Sequence, residues 1–278
     1  MPPSSYDRVR GASSAPVRGL TPLAENLRRR DPDRYLTALF APPARREPLF
    51  VLYAFDHELA RARAVTHEPV IALMRLAWWR EVVEGAVRAH EVAAPLGEAL
   101  TTGLLHREDL LGVIAAREIE AEPEIATLAD WRAYLLGSAG GIAVAAGRLL
   151  GAPEPERLRP GGAAWGAASV LRGVAAAARQ GRCLLPADVL AAHGLTPEAV
   201  VSAPDAAVLN PVRVALATEA RAWLAAGRGV RLPRAAVAAA LPSVLARRDL
   251  ARPAESAPEG RGLGDRLAVL RAGVLGRA

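Results

Sequence analysis

Apolar positions along the chain recur at three- and four-residue intervals, the period of an α-helix. After Pro42-Pro43, Leu49, Leu52, Tyr53 and Leu59 keep that spacing and predict a helix running to roughly Arg63. Leu73, Leu76, Ala77, Arg80 and Glu84 mark successive turns of another, from roughly Pro69 to Ala89. Two shorter helices precede these, Pro22 to Arg30 and Asp31 to Phe40, with Asp31 placed to cap and Pro32 suited to a first turn. Further helices are expected at about 95–104, 107–120, 128–150, 162–179, 205–227, 233–247 and 262–276. Strand-like alternation never runs beyond about four or five residues, and no internal repeat is present.

Composition sharpens this picture. Hydrophobic residues make up 51% of 278, so the chain can bury a sizeable core and is not intrinsically disordered. Aromatics are only 4%, which disfavours an all-β fold, and the abundant alanine favours helices. Residues 1–20, rich in Pro, Ser, Gly and Arg, read as a flexible tail without a signal-peptide core. Residues 21–250 read as one all-α domain, 251–261 (ARPAESAPEGR) as a linker, and 262–278 as a C-terminal helix packing on the same domain.

Two apolar stretches, Tyr134 to Leu150 and Ala163 to Ala178, are too short to span a bilayer and carry Arg148 and Arg172. They are expected to be buried helices. The run Gly137-Ser138-Ala139-Gly140-Gly141 implies either close helix–helix packing or a kink or ligand-contact role, because mid-helix glycine costs up to about 1 kcal/mol. Gly161-Gly162 reads as a helix start.

The charge balance, 35 basic against 29 acidic residues, gives +6, and no lysine occurs. That permits an anionic partner. Acidic residues interleave with the arginines almost everywhere, so no nucleic-acid partner is expected. A single cysteine, Cys183, excludes an internal disulfide and suits a reducing cytoplasm. A peripheral place at the inner membrane is a further expectation. None of the five histidines pairs with another at helical spacing, and no P-loop, GxSxG or dinucleotide fingerprint occurs. Glu118, Glu120, Glu122 and Glu124 alternate beside Pro123 and read as a solvated helix end.

Four longer segments, in order, carry a resemblance. DPDRYLTALFAPPARREPLFVLYAFDHELARAR (31–63), MRLAWWREVVEG (74–85), YLLGSAGGIAVAAGRLLG (134–151) and VLRGVAAAARQGRCLLPADVLAAHGLT (170–196) resemble successive blocks of the squalene/phytoene synthase family. The resemblance implies an all-α, isoprenoid-synthase-like helical bundle around a central cavity. It also implies two Asp-rich motifs that hold magnesium and a prenyl diphosphate. Here the matching positions are Ala60, Arg61 and Ala64 in the first motif and Gly173 and Ala177 in the second. Leu184 stands where the family has a tyrosine, while Arg75, Arg172, Arg182 and Pro186 match. Magnesium needs hard oxygen ligands, which alanine and glycine lack.

This departure pattern, with Asp56-His57-Glu58-Leu59-Ala60 after Tyr53-Ala54-Phe55, resembles a subgroup related to the mitochondrial complex I (NADH dehydrogenase) assembly factor of the same fold. It implies a non-catalytic assembly or partner-binding role, with no catalytic residue, no metal and no cofactor, and respiratory complex subunits as partners. Two alternatives stand beside it: a Mg-dependent head-to-head prenyl transferase, and a metal-free protein that binds a prenyl chain or an anionic lipid. The candidate cavity or anion-binding residues are Tyr53, Asp56, Arg61, Arg75, Arg172 and Arg182. Their arginines either bridge to Asp56, Glu58, Glu81 or Asp188, or form a metal-free anion pocket.

Overall fold

The computed structural model describes residues 20–66, 68–252 and 261–276. The expected tail, apart from Leu20, and most of the expected linker lie outside the described residues. All regular secondary structure among the described residues is helical, without a strand. Its helices are α1 (Pro22–Arg30), α2 (Pro32–Ala38), α3 (Pro43–Ala64), α4 (Pro69–Glu84), α5 (Ala93–Thr101) and α6 (Arg107–Arg117) in the first half. Then come α7 (Leu128–Gly137), α8 (Ala139–Leu149), α9 (Arg159–Arg172), α10 (Val174–Ala178), α11 (Ala187–Ala192), α12 (Pro197–Ser202), α13 (Asn210–Ala226), α14 (Val237–Ala251) and α15 (Leu263–Leu275). None of them is long and apolar enough to cross a membrane.

Local chemistry explains the starts. The Thr21 hydroxyl accepts the Ala24 N–H at 3.1 Å, and the Asp31 carboxylate accepts the Arg34 N–H at 2.9 Å, each ahead of a proline in the first turn. Thr127 and Asp130 form a reciprocal capping box that opens α7. Thr127→Ala removes one arm of it, and thermal unfolding should report a loss of about 1 kcal/mol.

The helix expected to reach Ala89 stops at Glu84, where Gly85 takes a φ of 122°, and three other expected helices break or change geometry within their patterns. The segment 107–120 leaves α-geometry after Arg117 and tightens into a 3-10 turn over Glu118–Ala121. The segment 128–150 breaks at Ser138, whose ψ is −85° and whose hydroxyl donates to the Tyr134 carbonyl at 2.6 Å. That back-bond competes with the helical ladder and bends it. The segment 162–179 starts earlier, at Arg159, and breaks at Gly173.

Two apolar clusters form the core. One gathers Leu49, Leu52, Phe55 and Leu59 of α3 against α4, α5 and α6. The other gathers α9, α13 and α14 around the fully buried Trp131. The Trp131 ring stacks on Trp223 at 5.7 Å, and its indole N–H donates to the Leu184 carbonyl at 3.1 Å. Helices α8 and α9 run together at small-residue contacts. Helix α15 buries Val269 and Ala272 in the second cluster and packs on α14.

Candidate functional site

A cavity of about 510 Å³ opens between α2, the middle of α3, the α7–α8 break and α9. On α3, Asp56 and Ala60 lie four residues apart and therefore on one face, and both line it. The opposite wall comes from Trp165, Arg172 and Gly173.

The floor is a buried chain of ion pairs. Asp56 is 2% exposed. One of its oxygens accepts from Arg34 Nη1. The other accepts from Arg117 Nη2 at 2.6 Å and Nε at 3.2 Å. Arg117 continues to Glu120 at 2.7 Å. The same Glu120 oxygen accepts the Tyr134 hydroxyl at 2.9 Å, and its second oxygen accepts from Arg182 at 2.7 Å. Arg34 also lies over the Tyr53 ring, 5.2 Å from its centroid.

Burial alone would raise the Asp56 pKa; the charges of Arg117 and Arg34, with their hydrogen bonds, outweigh it and hold the carboxyl well below its ordinary range. Burial pushes Tyr53 up to about 12. Burial, then the neighbouring Glu120 carboxylate, raises Tyr134 well above the ordinary tyrosine value, so both phenols stay protonated. Neither serves as a base, and Tyr134 is a buried donor to Glu120.

A second ion-pair cluster forms the rim. Arg172 donates to Asp249 at 2.9 Å and lies 3.8 Å from Asp33. Arg261 donates to Asp33 at 2.9 Å and also to Asp249. Arg252 joins Asp249 to Asp265, at 2.8 Å and 2.6 Å. The guanidinium groups of Arg172 and Arg261 both sit over the Trp165 ring, at 5.7 Å and 5.6 Å. Burial would raise Asp265; hydrogen bonds from Arg252 and Arg248 overcome it and lower the group to about 2.

Of the residues named from sequence, the cavity gathers Asp56, Ala60, Arg172, Gly173, Arg182 and Leu184. Tyr53 touches a separate cavity of about 60 Å³ and reaches the larger one only through Arg34. Four others lie elsewhere. Arg61 is turned about 100° from Ala60 around α3 and pairs with Glu58 at 2.8 Å. Ala64 lies one turn further along α3, outside the lining. Ala177 sits on α10 beyond the Gly173 break, against a small void beside Val174 and Val200. Arg75 is exposed on α4.

Of the bridges expected, Arg61–Glu58 forms, while the other acids take different partners. Glu81 pairs with Arg88, and Asp188 accepts the Leu128 and Val189 N–H groups. Glu120 belongs to no solvated helix end; it is a buried hub. Arg34 and Arg117 stand out in no sequence motif, although Arg117 precedes Glu120 by three residues, a helical pairing distance.

This donor set does not fit a magnesium–diphosphate cluster. Asp33, Asp56, Glu120 and Asp249 are each held by at least one guanidinium, and no group of three or more metal-ligating side chains forms among the described residues.

The family model for squalene/phytoene synthase matches residues 27–261. The chain belongs to the squalene/phytoene synthase family. Solved structures share the fold: a dehydrosqualene synthase bound to a ligand superposes with a TM-score of 0.69 at 15% identity, covering 91% of this chain and 94% of that one. The squalene synthase of Alicyclobacillus acidocaldarius gives 0.65 at 20% identity, covering 91% and 93%. Among curated relatives, the NADH dehydrogenase (ubiquinone) complex I assembly factor 6 of Homo sapiens is 35% identical over 98 residues, 34% of this chain and 29% of that protein. Its counterpart in Bos taurus is 27% identical over 182 residues, 63% of this chain and 55% of that protein. The chain thus spans about half the length of the bovine relative and less of the human one.

Proposed function

We propose that this chain is a non-catalytic member of the squalene/phytoene synthase family that works without a metal cofactor as an assembly factor for the respiratory NADH dehydrogenase complex. One observation carries the reading: the α3 carboxylate facing the cavity, Asp56, is clamped between Arg34 and Arg117, and the next turn offers only Ala60. Releasing Asp56 to a metal ion would leave buried Arg34 with only the more distant Asp31 and buried Arg117 with Glu120 alone, which is costly. The names of the curated relatives supply the partner class, the subunits or assembly intermediates of that complex.

Two measurements test the reading. Incubation with farnesyl or geranylgeranyl diphosphate and magnesium should release no pyrophosphate; release that chelation abolishes would overturn the non-catalytic half. Disruption of the gene in its native host should lower the amount of assembled NADH dehydrogenase complex, and unchanged assembly would overturn the other half.

The retained cavity supports a second reading, in which it holds a prenyl or lipid chain. Leu135, Trp165 and Val170 supply apolar wall beside the rim arginines. Native mass spectrometry of the purified protein distinguishes a bound chain from an empty cavity. Because Arg172 and Arg182 already have carboxylate partners, calorimetry at low salt should show no uptake of free pyrophosphate.

A further inference from the structure

Helix α15 carries an apolar stripe that none of the described residues covers. Leu263, Leu267, Leu270 and Val274 follow one another at intervals of four, three and four residues, and stand 79%, 61%, 50% and 55% exposed. Together they run about 16 Å along the helix. The opposite face is occupied: Val269 and Ala272 enter the core, and Gly273 abuts the Phe40 ring. Single exposed leucines are ordinary, but a continuous stripe at helical spacing is a surface suited to an apolar partner.

The charges beside the stripe identify that partner. Arg266 and Arg271 are exposed and lie roughly 70° to either side of it. Arg234 is also exposed, and its guanidinium lies 3.5 Å from the Val274 carbonyl at the end of the stripe. The one acid of α15, Asp265, is buried and paired with Arg248 and Arg252. A second copy would bring arginines against arginines along both flanks, a repulsive seam. An anionic bilayer surface offers apolar depth to the leucines and phosphate oxygens to the arginines together. We propose that α15 docks this protein on an anionic lipid surface, lying in the plane of the interface with Leu263, Leu267, Leu270 and Val274 inserted. The proposal stands on α15 alone and does not depend on the assembly role.

Vesicle flotation of the full chain tests it. Vesicles of equimolar phosphatidylcholine and phosphatidylglycerol should carry the protein, and binding should weaken as salt rises. Arg266→Glu and Arg271→Glu should each cut the affinity at least about fivefold. Leu267→Glu and Leu270→Glu should each cut it about tenfold or more. All four sites are exposed, so circular dichroism should show wild-type helicity. Met74→Glu, on the exposed face of α4, should leave binding unchanged. Three outcomes would overturn the proposal. These are no flotation, equal flotation on pure phosphatidylcholine, and a concentration-dependent dimer in sedimentation that Leu267→Glu dissolves.

Discussion

Replacing Asp56 by alanine should cost the folded protein roughly 3–5 kcal/mol, because the change strands buried cations instead of removing a surface contact. Arg34 and Arg117 are 7% and 8% exposed, and both direct guanidinium groups at this one carboxylate. Arg117 would keep Glu120, while Arg34 would be left with the more distant Asp31 at 3.8 Å. For a chain of this size the loss corresponds to a fall in Tm of about 10 °C. The pH dependence has a definite sign. The folded-state pKa of Asp56 lies below its unfolded value, so its stabilising contribution is complete above about pH 4 and is lost as pH falls toward the folded value. Asp265, lowered to about 2, acts in the same direction. Melting curves should therefore show wild type losing stability between about pH 4 and pH 2, and the gap between wild type and Asp56→Asn narrowing over that range. A gap independent of pH, or an Asp56→Ala variant within about 1 kcal/mol of wild type, would show that the clamp contributes little.

The helical architecture was legible because three-to-four periodicity is a local signal, repeated along each amphipathic segment. The cavity wall was legible where a resemblance placed a residue on the inward phase of its helix, as at Asp56, Ala60, Arg172 and Gly173. It was not legible where one residue of phase or one turn of height decided the matter, as at Arg61 and Ala64. Breaks were hidden for a related reason. Nothing in the spacing of apolar residues reveals that the Ser138 hydroxyl turns back on the Tyr134 carbonyl. The four alternating glutamates look alike in sequence. The 3-10 turn buries Glu120, while Glu122 and Glu124 remain exposed. The rim was the least legible part, because Arg252 and Arg261 flank a Pro- and Glu-rich stretch that reads as a linker. Their partners include Asp33, which is far away in sequence and belongs to α2.

Gly162→Val should destabilise the protein by about 3 kcal/mol, and Gly162→Ala by less. In sequence Gly162 reads as part of a helix start; in the fold it lies where α9 presses on α8. A Cβ there would come within 2.5 Å of the Ala139 carbonyl oxygen and of the Ala143 Cβ. The first of these is backbone and cannot rotate aside. Relief requires α8 and α9 to separate, and the contacts that would open are nearly as close. A Cβ on Gly140 would meet the Arg159 carbonyl at 2.9 Å, and one on Gly166 would meet the Ala139 Cβ at 2.7 Å. Alanine gains up to about 1 kcal/mol of helix propensity over glycine, too little to offset the overlap. Because α9 also carries Trp165 and Arg172, the same displacement would pull the rim ion pairs out of register with Asp249. Gly112 provides the control. It lies inside α6, and a Cβ added there would meet nothing within 4 Å, so Gly112→Ala should be neutral or stabilising by up to about 1 kcal/mol. Denaturant melts that rank the two alanine variants the other way round would mean that the α8–α9 crossing is loose, and that its glycines are there for some reason other than space.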